Sequence, residues 1–193
     1  MPALRFEDLL QDPDRRYDAD RWGADGRPVL LLNDTGADRS TWWPVAARLA
    51  DEHAVAVLDL PEDRSIRDQA EALAEYVAAM GTRAPVIAGH GRAALVASLF
   101  AARYLAHAVV NIEQRLDEPH VDPEHALREI TEGPRRIRCR YLAIFTSAPG
   151  PDYEAWLRER IPEAVCATYR TGGGFPHLSD PKRFSDDIRE LAS

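Results

Sequence analysis

The sequence predicts a doubly wound α/β domain with a mostly parallel sheet of about six strands. Three observations carry this reading. From Pro28 onward, short Leu-rich or β-branched runs alternate with longer segments of helical period. The runs are apolar at almost every position, as strands covered on both faces are. Strict strand and helix alternation gives right-handed crossovers and hence parallel neighbours. With 193 residues the chain can fill one core, and 1–193 is expected to be a single domain.

Residues 1–27 are polar and punctuated by Pro13, Gly23 and Gly26. A short helix at "FEDLLQ" and an edge strand around Arg16 to Trp22 are the expectations there. "PVLLLND" is a strand leading to the helical "RSTWWPVAARLA", and "AVAVLDLP" leads to a helix over about 65–80. In that helix Ile66, Ala70, Leu73, Val77 and Met80 recur at steps of three and four, giving one apolar face. "PVIAGH" precedes a helix from Ala93 to Tyr104, and "AHAVVNIE" precedes the stretch 115–138, which has room for one helix around Pro123 to Thr131. "RYLAIFTS" leads to the helix "DYEAWLRERI", and "AVCATYR" to the closing helix "DPKRFSDDIRELA".

Composition narrows the function. The net charge of −8 opposes a nucleic-acid backbone as partner, and "PRRIRCR", Pro134 to Arg140, is the one basic run, read as a solvated turn. No window approaches a membrane span, and the N-terminus lacks the basic and apolar regions of a secretory signal, so the cytoplasm is the expected compartment. Cys139 and Cys166 have no metal-ligand spacing and read as reduced, buried thiols. No cofactor and no metal is expected.

The stretch "VIAGHGRAALVASLF", Val86 to Phe100, is an apolar strand, a Gly-rich turn and an apolar helix. It has the outline of a nucleophile elbow, yet the residue at the tip is Gly91. With "LLLNDTGADRSTWWPVAARLA", "VLDLP" and "GGGFPHLSDPKRFSDDIREL" in matching order, the chain from about Pro28 to its end resembles the α/β-hydrolase fold. The resemblance implies that fold with a minimal or absent cap.

Activity does not follow from fold. The resemblance expects G-x-S-x-G where this chain reads Gly89, His90, Gly91, Arg92, Ala93. The closing motif is similar to the G-H-x-P-H-L-S of stress-signalling hydrolases and butenolide receptors. Aligned on "FPHLSDP", the catalytic His position is Gly174, and His177 matches a second, structural His. The acid position follows "YLAIFTS", where Asp152 is the first carboxylate and equally an N-cap for a helix starting at Tyr153. Glu113, after the preceding strand, is a less common solution. The oxyanion loop reads Asn33, Asp34, Thr35, Gly36, and Asp34 there would oppose an oxyanion.

The remaining candidates each have a bland alternative. His90 and His177 are possible acid or base groups, with packing and loop tethering as their structural roles. Arg92 could bind a carboxylate beside the vacant tip or point into solvent. Of Trp42 and Trp43, one is expected in the core and the other lining a groove. His107, His120 and His125 read as surface residues, and "TGGGFP" lacks the Lys of a phosphate loop. Ligand-binding candidates are thus Asn33, Asp34, Thr35, Trp42 and Arg92.

The expectation is a non-hydrolytic hydrolase-fold protein that binds a small molecule or a protein partner. One alternative is a repurposed enzyme of bacterial secondary metabolism, a cyclase, lyase or isomerase using His177, His90 or Asp152 without a covalent intermediate. A second is a structural subunit of an assembly.

Overall fold

A computed structural model of the chain describes residues 19–33, 36–60, 63–82, 84–118, 126–170 and 172–193. The expected helix at "FEDLLQ", and Asp34, Thr35, His120 and His125, lie outside the described residues. The strands are β1 (Ala19–Trp22), β2 (Val29–Leu32), β3 (Val55–Leu58), β4 (Val86–His90), β5 (Ala108–Ile112), β6 (Arg140–Phe145) and β7 (Ala164–Thr168). They form one seven-stranded sheet in the order β1-β3-β2-β4-β5-β6-β7. The seventh strand, beyond the about six alternating runs, is β1, which pairs antiparallel with β3. All other neighbours are parallel.

Period-two alternation divides the strand residues between two layers. Leu30, Leu32, Ile87, Val109 and Tyr141 face a cluster built from α2 (Ile66–Ala79), α3 (Arg92–Arg103), α4 (Ala126–Glu132) and α5 (Pro151–Arg160). Val29, Leu31, Val86, Val110 and Ile144 face α1 (Trp43–Leu49) and α7 (Pro181–Ala192), which follows the one-turn α6 (Pro176–Ser179), with Trp42, Phe184 and Ile188 between. Each fully buried Leu, Ile or Phe contributes roughly 1.5–3 kcal/mol by removal from water. The rule that every strand is covered on both faces fails at β7. It is an edge strand, and Val165 is 58% exposed.

Local signals set the helices. Ser65 caps α2, its hydroxyl accepting from the Asp68 amide at 3.0 Å. Asp180 caps α7 through the Arg183 amide at 3.1 Å. The helix α5 begins two residues earlier than expected, at Pro151, with Gly150 at the N-cap. Proline is preorganised for the first helical position, so Asp152 is an exposed first-turn residue and not the N-cap.

Both cysteines are half-buried rather than buried, and desolvation pushes each thiol up to about 11. In the shortened cap region, the described part of 115–138 holds the single helix α4, Ala126–Glu132, and the expected start near Pro123 lies outside the described residues. The cap is minimal.

Candidate functional site

The chain runs from β2 to β3 on one side of β2, then crosses to β4 on the other. The C-terminal ends of β2 and β4 are therefore the switch point, where open α/β sheets form their ligand crevice. The loop after β2 starts at Asn33, and the turn after β4 carries Gly91.

That turn is sharp for identifiable reasons. Gly91 is the N-cap of α3 with φ 53 and ψ −127, a backbone state strongly unfavourable for residues with a Cβ. Its amide donates to the Ile112 carbonyl at 2.9 Å, so the turn is tied to β5. Gly89 lets α3 pack against the strand: a Cβ there would lie 2.5 Å from the Ala93 carbonyl carbon and oxygen. The backbone has the elbow's form, and the side chain at its tip is a hydrogen atom.

His90 donates from Nε2 to the Gly174 carbonyl at 2.8 Å. Its ring stacks on Phe175 with centroids 4.7 Å apart and meets His177 edge-on at 5.8 Å. Gly173 and Gly174 sit at φ 94 and φ 70, which allows the "GGGFP" loop to turn back over His90. The base position of the resemblance is thus a backbone carbonyl bonded to the elbow's own histidine.

Among the described residues His177 makes no side-chain hydrogen bond that would tether this loop, one of its two expected roles. It is 2% exposed, stacked on Trp42 at 4.0 Å and 15°, and packed against Phe184 at 6.0 Å. Its Nδ1 is buried without a hydrogen-bond partner. Desolvation first, and then the neighbouring His90, push its pKa down to about 3, so the imidazole is neutral near pH 7. Trp42 is core, at 1% exposure, and lines no groove. Trp43 is the exposed member of the pair, with Nε1 donating to Asp20 at 2.9 Å and its ring against Trp22 at 6.3 Å.

Arg92 neither faces the tip as a free cation nor points into solvent. Its guanidinium donates to Gln69 Oε1 at 2.8 Å and to the Arg64 carbonyl at 3.1 Å, joining α3 to α2 and the turn before it. Asn33 is a brace: its Nδ2 donates to the Ala37 carbonyl at 2.5 Å and to Asp59 Oδ1 at 3.0 Å, while Arg39 Nε lies 3.1 Å from Asp59 Oδ2. Asn33 is 7% exposed, and its Oδ1 is a buried acceptor with no donor among the described residues.

Asp59 has no expected role in the sequence; its place within "VLDLP", one residue past the end of β3, is the signal that marks it as a rim residue. Glu113 stands out more sharply in the structure than in the sequence. It has φ 59, its amide donates to Ile144, and its carboxylate accepts from the Thr146 amide at 2.5 Å. The left-handed conformation is imposed by Asn111, whose side chain donates to the Gln114 carbonyl at 2.8 Å and accepts its amide at 3.2 Å. Tyr141 anchors Asn111 at 2.9 Å, and Ser98 shares that phenol at 2.8 Å. Glu113 therefore sits one residue past the paired His90 and Ile112, next to the elbow. His107 is not a plain surface residue; it is half-buried, with Nε2 enclosed and unpartnered.

Among the described residues, no group of three or more His, Cys, Asp or Glu side chains could hold a metal ion, and no helix is long and apolar enough to cross a membrane.

No protein-family model matches the sequence, and no curated protein matches it. Solved structures do. An esterase from Thermogutta terrifontis superposes with a TM-score of 0.70 at 19% identity, covering 91% of this chain and 93% of that one. An alpha/beta hydrolase enzyme, MGS-MChE2, from the metagenome of Mar Chica lagoon sediments gives 0.73 at 16%, covering 89% and 92%. AqdC, which cleaves the ring of the Pseudomonas quinolone signal, gives 0.72 at 12%, covering 91% and 96%. The fold is that of the α/β-hydrolases, and these enzymes differ in chemistry while sharing it.

Proposed function

On this fold, we propose that the chain is a non-hydrolytic protein whose frame serves as a scaffold for a small molecule or a protein partner. The observation that carries the reading is Gly91, which keeps the elbow's strained backbone while offering no nucleophile. The imidazoles are also committed elsewhere. His90 Nε2 is held by the Gly174 carbonyl, and His177 is neutral, enclosed and stacked on Trp42. Acyl transfer needs a nucleophile and a base within hydrogen-bond reach of it. The buried, donor-less Oδ1 of Asn33 at the switch point supports binding, because a buried acceptor gains a full hydrogen bond when a ligand or reordered loop supplies a donor.

The test is turnover of p-nitrophenyl acetate and butyrate together with labelling by a fluorophosphonate probe. The expected result is hydrolysis at the buffer rate and no labelling. Turnover above buffer that disappears in His177→Ala overturns the reading.

A second reading, a repurposed enzyme working by non-covalent acid and base chemistry, is favoured by Glu113. A carboxylate in a left-handed conformation at the rim is the kind of strain found where geometry serves chemistry. Native mass spectrometry on purified protein separates the two readings. A retained, unaltered ligand fits the scaffold, whereas turnover of that ligand, lost in Glu113→Gln, fits the enzyme.

A further inference from the structure

The end of the sheet opposite the elbow carries a concave surface, independent of the function proposed for the rim. It lies at the N-terminal ends of β4, β5 and β6, where the end of α3 and the chain entering β6 enclose a groove of about 550 Å³. Four arginines line it, Arg103, Arg135, Arg136 and Arg138, with no Asp or Glu among the lining residues. This is the basic run that the function at the rim leaves unused.

The four cations are not equivalent. Arg103 is neutralised by Glu129 at 2.6 Å and Glu71 at 3.0 Å. Arg135 donates to the Arg103 carbonyl at 3.1 Å, which orients it without cancelling its charge. Arg136 and Arg138 are exposed, and among the described residues neither guanidinium has an ion-pair or hydrogen-bond partner. Between them Ile137 is 1% exposed, so burial alternates along the run and both guanidinium stems leave on the outer side. In an extended peptide, residues two apart repeat at about 6.5 Å, a spacing that two flexible guanidinium stems leaving on one side can reach. Carboxylates at alternate positions of an extended peptide have the same repeat.

Apolar surface accompanies the charge. Leu105 is 71% exposed and Tyr104 is 40% exposed at the mouth of the groove. An inorganic anion has no use for that surface. A nucleic acid would meet the repulsion of a chain that is otherwise strongly acidic, at −8 overall. A protein segment carrying both carboxylates and an apolar side chain satisfies both features, and guanidinium forks suit carboxylates.

We propose that this groove docks an extended acidic segment of a partner protein, alternate carboxylates on Arg136 and Arg138 and an apolar side chain against Tyr104 and Leu105. The test is fluorescence anisotropy with a short fluorescein-labelled peptide alternating Glu and Ala around a central Phe, beside the same peptide with Gln for Glu. Saturable binding of the Glu peptide alone is expected, weakened about tenfold or more in Arg136→Glu/Arg138→Glu and also in Leu105→Asp. These side chains are exposed, so the variants should keep the wild-type melting temperature. The proposal is overturned by absence of saturable binding, by equal binding of the double variant, by equimolar inorganic phosphate displacing the peptide, or by a single-stranded oligonucleotide binding more tightly.

Discussion

His177 carries the clearest pH signature in the molecule. Its folded pKa of about 3 lies below its unfolded value of 6.5, so the unfolded chain binds a proton that the folded chain refuses. Its contribution is fully present above pH 6.5 and is lost as pH falls toward 3, at about 1.4 kcal/mol per pH unit. His53 and His107 are lowered mainly by burial and add in the same direction. Urea midpoints measured from pH 7.5 to 4.5 should therefore fall steadily in the wild type. In His177→Phe, which keeps an aromatic ring against Trp42, the slope should shrink by about one proton's worth. An unchanged slope in that variant would contradict the burial argument.

Gly91 supplies a second residue-scale expectation. Gly91→Ser should destabilise by about 1–3 kcal/mol, because a Cβ is forced into φ 53 and ψ −127. Placing a hydroxyl there should not confer esterase turnover, since His90 Nε2 is bonded to the Gly174 carbonyl and His177 is stacked on Trp42. Thermal melting and the p-nitrophenyl ester assay measure the two halves separately.

At the scale of elements, the elbow depends on how closely α3 approaches β4. Gly89→Ala would drive a Cβ to 2.5 Å from the Ala93 backbone, with no flexible side chain to yield. A loss above about 3 kcal/mol, or failure to fold, is expected. The exit of β5 depends on a different device, the buried chain from Ser98 through Tyr141 to Asn111. Tyr141→Phe should cost about 1–3 kcal/mol by leaving buried polar groups short of a partner. If Glu113 owes its position to this network, amide exchange at 113–116 should rise more in that variant than exchange in α2, as hydrogen-exchange mass spectrometry can read.

At the scale of the whole molecule, protection should fall from the centre of the sheet outward. Peptides from β4 and β5 lie between two helical layers, and α3 is buried along most of its length, so all three should exchange only by global opening, whereas β1 and β7 are edges and should exchange first. The exposed Val165 on β7 marks where the sheet's second layer ends. The sequence alone made the alternation of strands and helices, the parallel sheet and the empty elbow legible, because these rest on local periodicity and on the identity of single residues. An edge strand around Arg16 to Trp22 was legible too, whereas its antiparallel pairing with β3 and the start of α5 at Pro151 were not, since a strand's partner is not written in its own residues and a proline can end one element or begin the next. What only the tertiary structure decided was the fate of each candidate side chain: His177 turned under Trp42, Arg92 drawn to α2, Asn33 bound to Asp59 and Glu113 lifted to the rim. The physical reason is that a residue's period is set by its neighbours in the chain, whereas burial, hydrogen-bond partners and hence protonation are set by residues that folding brings from far away.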